Sequence, residues 1–162
     1  MRVDRLFEIY SNEKLFQYTH VNVKKNKETV KNMIGHFERD FGKGKTIFLA
    51  ICPNAKDELV GIAEMFDYDR DVKMITIGYR LHESFWGQGF ATMAVDAMTG
   101  WLFGQTGINR IQGFVMPENI KSCNVLERSK FTREGVIRQG QVWKGKGAVD
   151  LVLYSLLRSD MK

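Results

Sequence analysis

Apolar residues recur along this chain with two periods, and the switches between them outline the elements. Residues 3–13 put Leu6, Ile9 and Tyr10 on one helical face, and residues 27–40 do the same with Val30, Met33, Ile34 and Phe37, the spacing of amphipathic helices. Gly42 and Gly44 end the second helix. The period then drops to two over Thr46–Cys52, Leu59–Phe66 and Met74–Leu81, which read as strands joined by turns at Pro53-Asn54 and Asp67–Asp71. In the third strand Ile75, Ile77, Tyr79 and Leu81 share a face. Helical spacing returns over about 89–104, with Ala91, Ala94, Val95, Met98 and Leu102 as its buried stripe and Gly104 at its end. Arg110–Met116 is a strand that Pro117 stops. Asn119 suits the N-cap of a helix over 120–129 that buries Ile120, Cys123, Val125 and Leu126. Thr132–Gln141 and Val149–Leu157 close the chain as an antiparallel pair joined by Gly145-Lys-Gly147. The order α-α-β-β-β-α-β-α-β-β predicts a mixed α/β (α+β) layer fold, mostly antiparallel with one helix-linked parallel pair.

The densest signal is Ile77-Gly-Tyr-Arg-Leu-His-Glu-Ser-Phe-Trp-Gly-Gln-Gly-Phe-Ala-Thr92. A strand passes through a short loop into a helix, and Gly87 and Gly89 leave the loop backbone bare. Free N–H groups at a helix N-terminus, with the positive end of its dipole, suit a phosphate or pyrophosphate. Plain turn chemistry is the competing reading of two glycines. A dinucleotide-binding fold is disfavoured because Thr92 stands where its fingerprint needs a third small residue. A P-loop is excluded because no Gly-Lys-Ser/Thr follows.

Composition narrows the class further. The chain has 162 residues, 44% of them hydrophobic, which suffices for a single domain over 1–162. Two prolines and no low-complexity run leave no linker. The net charge of +5 fits an acidic or phosphorylated partner but is too mild and scattered to imply nucleic-acid binding. Cys52 and Cys123 form no CxxC, and His20, His36 and His82 are far apart, so no metal site is expected. The cysteines read as free thiols in a reducing cytoplasm. No signal peptide or membrane-length apolar run is seen, so a soluble protein is expected.

The segment around Trp86-Gly-Gln-Gly-Phe-Ala91 resembles motif A of the GNAT acetyltransferase superfamily, Gln/Arg-x-x-Gly-x-Gly/Ala, with Gly89 and Ala91 in register and Trp86 where Gln or Arg is usual. That Trp, and a block from Pro117 to Phe131 similar to an Asn-x-x-Ser helix with a following strand entry, resemble the Rim-type ribosomal-protein N-acetyltransferase branch. Arg133–Val136 and Asp150–Tyr154 resemble its C-terminal strand pair. The resemblance covers roughly residues 59 to 157. It implies a mostly antiparallel sheet flanked by helices, with two strands splayed at an acetyl-CoA site. The family usually has a strand before its first helix; here that strand is missing or Arg2–Arg5 is its vestige.

The resemblance implies that the backbone at Leu81 meets the pantetheine arm and that Gly87, Gln88, Gly89, Phe90, Ala91 and Thr92 hold the pyrophosphate, with Gln88 and Thr92 adding side-chain bonds. Trp86 is expected only to pack beside the loop. Asn119 would contact the pantetheine, with Ser122 and Asn124 near enough to join; a cap that needs no ligand is the competing reading of Asn119. Arg128 and Lys130 are candidates for a cofactor phosphate, or solvated cations. Acetylating an amine requires removal of its proton, and the departing thiolate accepts one. Glu64, a carboxylate in an apolar strand, is the first base candidate, against an exposed edge position; Glu118 is the second. Where some relatives have a Tyr acid, this chain has Leu126. Tyr154 is a possible substitute or a core residue, and Ser122 could orient a thiolate. Transfer is expected to be direct. The acceptor is an amine, either a protein N-terminus or a small molecule, met by segments 11–27, 67–72 and 139–147. Asp67, Asp69, Asp71 and Glu64 would attract its charge, and Trp143 would stack on it. A monomer or homodimer is expected. The competing classes are a non-catalytic acyl-CoA-binding module and, more weakly, a nucleic-acid binder.

Overall fold

The computed structural model describes residues 2–53, 58–143 and 145–161. Helix α1 (Arg2–Ser11) is followed by a one-turn helix α2 (Glu13–Phe16) and by α3 (Lys27–Gly42). Three strands come next, β1 (Thr46–Ile51), β2 (Gly61–Asp69) and β3 (Met74–Leu81). A 3-10 turn over Glu83–Phe85 leads to α4 (Phe90–Gln105). Strand β4 (Arg110–Val115), helix α5 (Ile120–Arg128) and the strands β5 (Thr132–Trp143) and β6 (Gly147–Leu157) complete the order.

The six strands form one sheet in the order β1-β2-β3-β4-β6-β5. Every pairing is antiparallel except that of β3 with β4. The alternation predicted from the sequence therefore resolves into two faces. Ala63, Met65, Ile75 and Ile77 point one way and pack with Val95, Met98 and Leu102 of α4 and Leu126 of α5. Ile62 and Phe48 point the other way and meet Leu6, Ile9, Tyr10, Phe16 and Val30 of the three N-terminal helices. There the rings of Phe37 and Phe48 stack 3.8 Å apart.

Several details depart from the sequence reading. No strand precedes α1 among the described residues, and Arg2–Arg5 is helical, so the vestigial strand is ruled out. The short α2 was not foreseen; Asn12 Oδ1 accepts from the Lys14 N–H and restarts the helix after Ser11. Ile120 is 59% exposed instead of buried. It opens the first turn of α5, one turn before Cys123 reaches the core. Asn54 of the predicted Pro53-Asn54 turn lies outside the described residues. Among the described residues no helix is long and apolar enough to cross a membrane, and no cluster of His, Cys, Asp and Glu could hold a metal ion.

Candidate active site

The site begins where the parallel pair comes apart. β3 and β4 are paired at Met74–Arg110, Ile75–Ile111 and Thr76–Gln112. Both strands then run on, β3 through Leu81 and β4 through Val115, without further pairing between them. The result is a V-shaped slot in the middle of the sheet. Backbone groups along its walls are available to an extended ligand, since a buried peptide group requires a partner. One of them is already engaged: Trp86 Nε1 donates to the Leu81 carbonyl at 2.9 Å. Trp86 was expected only to pack beside the loop, but its indole ties the loop back to the end of β3.

At the slot's mouth, Gly87 and Gly89 have φ of 72° and 84°, the left-handed region that glycine enters without a Cβ penalty. Gly89 is the N-cap of α4 and provides no side-chain cap. The first intrahelical bond runs from Met93 N to Gly89 O. The N–H groups of Phe90, Ala91 and Thr92 therefore point out of the helix end without intrahelical acceptors. No acidic residue stands in this turn, so nothing opposes an anion there. Gln88 turns away, its amide donating to the Ser84 carbonyl at 2.8 Å. Lys121 Nζ lies 5.4 Å from the Trp86 ring centre and brings a cation from α5 to the loop. Lys121 was missed because nothing local in the sequence ties α5 to Trp86. Arg128 and Lys130 are instead at the far end of α5, roughly 13 Å along its axis.

On the α4–α5 face of the slot, Asn119 caps α5, its Oδ1 accepting from the Ser122 N–H at 3.3 Å. Its Nδ2 has no partner among the described residues. Ser122 Oγ accepts a hydrogen bond from the Tyr79 hydroxyl at 3.2 Å, and Tyr79 is on the stretch of β3 that no longer pairs with β4. Burial pushes the Tyr79 hydroxyl up from its usual value, and the Ser122 contact partly offsets that shift. In the sequence Tyr79 belongs to the apolar stretch Tyr79–Leu81, suited to line an acyl arm or to fill the core, and nothing there signals the contact with Ser122. Asn124 is exposed and, two residues beyond Ser122, points away from it. Glu118 is exposed beside Asn119. Tyr154, only 1% exposed, donates to Glu127 Oε1 at 2.8 Å, at the other end of α5. Burial, with Cys123 and Glu127 beside it, raises its pKa.

On the opposite face, Glu64 holds a position the sequence could not specify. Its strand is interior, between β1 and β3, so it is not an edge residue. It pairs in register with Gly78, and Glu64 Oε1 accepts from Arg80 Nη1 at 2.9 Å. The two side chains are 15% and 10% exposed. Burial alone would weaken the hold of Arg80 on its proton, but Glu64 and Tyr10 outweigh that and strengthen it. The Tyr10 hydroxyl is pushed up to about 12, chiefly by burial. Arg80 Nε is buried without a partner among the described residues.

Next to this pair is a cleft of about 250 Å³, lined by Glu13, Phe16, His20, Trp143 and Lys146 among others. It unites two of the expected acceptor-facing segments, 11–27 and 139–147. The Arg80 guanidinium is 5.8 Å from the Phe16 ring centre, so Phe16 is shared between the cleft and the Glu64–Arg80 pair. Trp143 packs with Met116, which follows directly on β4. Lys14 of α2 pairs with Glu83, two residues past Leu81, at 3.4 Å. The cleft is thus at the open end of the slot. Segment 67–72 is not: it precedes Met74 at the closed end, roughly 23 Å of strand away. There Asp69 Oδ1 accepts from the N–H groups of Asp71 and Val72, which is turn chemistry.

A bare-backbone helix N-terminus beside a splayed parallel pair suits an extended ligand that carries a phosphate or pyrophosphate. The family model for the acetyltransferase (GNAT) domain matches residues 2–132. The chain belongs to the GNAT acetyltransferase family. It is 27% identical over 157 residues to the uncharacterised N-acetyltransferase p20 of Bacillus licheniformis, covering 97% of this chain and 88% of that one. Its fold matches RimL, the ribosomal L7/L12 alpha-N-protein acetyltransferase solved with coenzyme A, at a TM-score of 0.85 and 22% identity, covering 98% of this chain and 90% of that one. It matches MccE, the microcin C7 self-immunity acetyltransferase solved with acetyl-CoA and AMP, also at 0.85, with 23% identity, covering 96% and 86%. This GNAT protein is an acetyl-CoA-dependent N-acetyltransferase. The residues present fit that co-substrate: the N–H groups of 90–92 and Lys121 suit the pyrophosphate, and the slot walls with Asn119 suit the amide-bearing arm. Bound there, acetyl-CoA supplies an activated acetyl group.

Proposed function

We propose that this enzyme, one domain over 1–162 and a monomer or homodimer, acetylates the α-amino group of a protein or peptide in the cytoplasm. The observation that carries the reading is the slot itself. It has a carboxylate, Glu64, on the α1–α3 face and a hydroxyl pair, Tyr79–Ser122, on the α4–α5 face. The acceptor enters by the cleft beside Phe16, where Glu13 draws its ammonium. Glu64 takes the proton that frees the amine lone pair. Nitrogen attacks the acetyl carbonyl, the C–N bond forms and the C–S bond breaks. The nitrogen then sheds its second proton to the departing thiolate, which the Ser122 hydroxyl, backed by Tyr79, orients. Glu118 and Tyr154 are weaker candidates, the first for its exposure and the second for its engagement with Glu127. The small cleft also favours a second reading, a small-molecule amine as acceptor.

A thiol-release assay with acetyl-CoA against N-terminal peptides, their Nα-blocked forms and small amines separates the two. Turnover with free but not blocked peptides is the expected result. Turnover confined to small amines overturns the protein acceptor and leaves the acetyltransferase chemistry in place.

A further inference from the structure

Glu64 lies over β3 because of what stands opposite it. Gly78 is its cross-strand partner on β3, and a Cβ built on Gly78 would come within 2.9 Å of Glu64 Oε1 and 3.1 Å of its Cγ. The carboxylate therefore lies flat across the backbone of Gly78, the second residue of β3 beyond the last pair with β4. The space is reserved by glycine for steric reasons alone, since the backbone at Gly78 is not in the left-handed region. Two residues on, Arg80 fixes the carboxylate through its Nη1 at 2.9 Å and is itself held between Phe16 and Tyr10.

We infer that Gly78 and Arg80 are positioning residues for Glu64: Gly78 opens the space in which the carboxylate lies over β3, and Arg80 pins Oε1, the oxygen nearest Gly78, so that Oε2 is left for the incoming amine. The inference rests on the proposed role of Glu64 as base. Neither residue touches the reacting atoms. The groups facing the carboxylate are Arg80 on β3 and Tyr10 on α1, with the apolar Phe48 opposite it on β1.

Gly78→Ala tests it. The added methyl pushes the carboxylate by a fraction of an ångström, and kcat should fall about tenfold, less than the ~10²-fold that a full ångström of misplacement costs. The KM for acetyl-CoA should stay within about twofold, because the carboxylate is not in the pyrophosphate cradle. The acidic limb of the pH–rate profile should move, a readout a merely structural glycine would not give. In a Glu64→Ala background, where base and clash are both gone, Gly78→Ala should change kcat by less than about twofold. If Gly78→Ala does not fold, Arg80→Lys carries the test, since it keeps the charge but loses the planar fork, and its kcat and pH profile should shift the same way. A crippled Glu64→Gln alongside a Gly78→Ala enzyme of native kcat and pH profile overturns the positioning role alone. A fully active Glu64→Gln overturns the base, and the positioning role falls with it.

Discussion

Asn119 has one observed job, capping α5, and one proposed, contact with acetyl-CoA, and the two ends of its amide separate them. Oδ1 caps α5, while Nδ2 has no partner among the described residues. Asn119→Asp keeps a good cap and removes the donor, so Tm should stay near native while acetyl-CoA affinity, read by calorimetry, drops. Equal affinity would make the residue a cap and nothing more. A second residue-scale prediction concerns pH. Glu134 is held at about 2, against an ordinary value of 4.5, first by its hydrogen bonds from Arg110 and then by Ser155. A depressed carboxylate contributes stability that is complete above its unfolded value and is lost as pH falls through its folded one. The Tm gap between the wild type and Glu134→Gln should therefore be constant above pH 4.5 and close between 4.5 and about 2. A gap that persists unchanged at pH 2 would contradict the assignment. The magnitude will be modest because the pair is partly solvated.

At the scale of elements, periodicity alone located every strand and the three long helices to within a few residues, because hydrophobic spacing reports which face an element buries. It does not report which neighbour that face meets. Glu64 could be read as a carboxylate in a strand, but its place over Gly78 depends on the register of two strands, which no local signal encodes. Tyr79 and Ser122 are 43 residues apart in sequence and meet only because α5 returns over the slot. The glycine loop was legible because its chemistry is local. Its energetics were not: a Cβ at Gly89 meets nothing within 4 Å, so the constraint comes from φ of 84°, not from crowding. Gly89→Ala should thus cost about 1 kcal/mol of stability, measured by denaturant unfolding, and weaken acetyl-CoA binding by turning the N–H groups of 90–92. Native stability would show that the loop does not need the left-handed turn.

For the whole molecule, the splayed pair opens the sheet between two separate cores. The α4–α5 face holds the groups suited to the acyl carrier, and the α1–α3 face holds the cleft and the carboxylate. Candidate residues on both faces are legible in the sequence, but which strands separate is not, because strand register is not a local property. The sequence also put Asp67, Asp69 and Asp71 in the acceptor region, although they lie at the closed end, because a run of acids gives charge without position. Everything proposed for catalysis turns on Glu64 taking the amine proton. The direct measurement is kcat/KM for acetyl-CoA-dependent thiol release by Glu64→Gln, with acetyl-CoA affinity measured on the same sample. A loss of about 10²-fold or more with affinity unchanged is expected. A Glu64→Gln enzyme with native kcat/KM would contradict it.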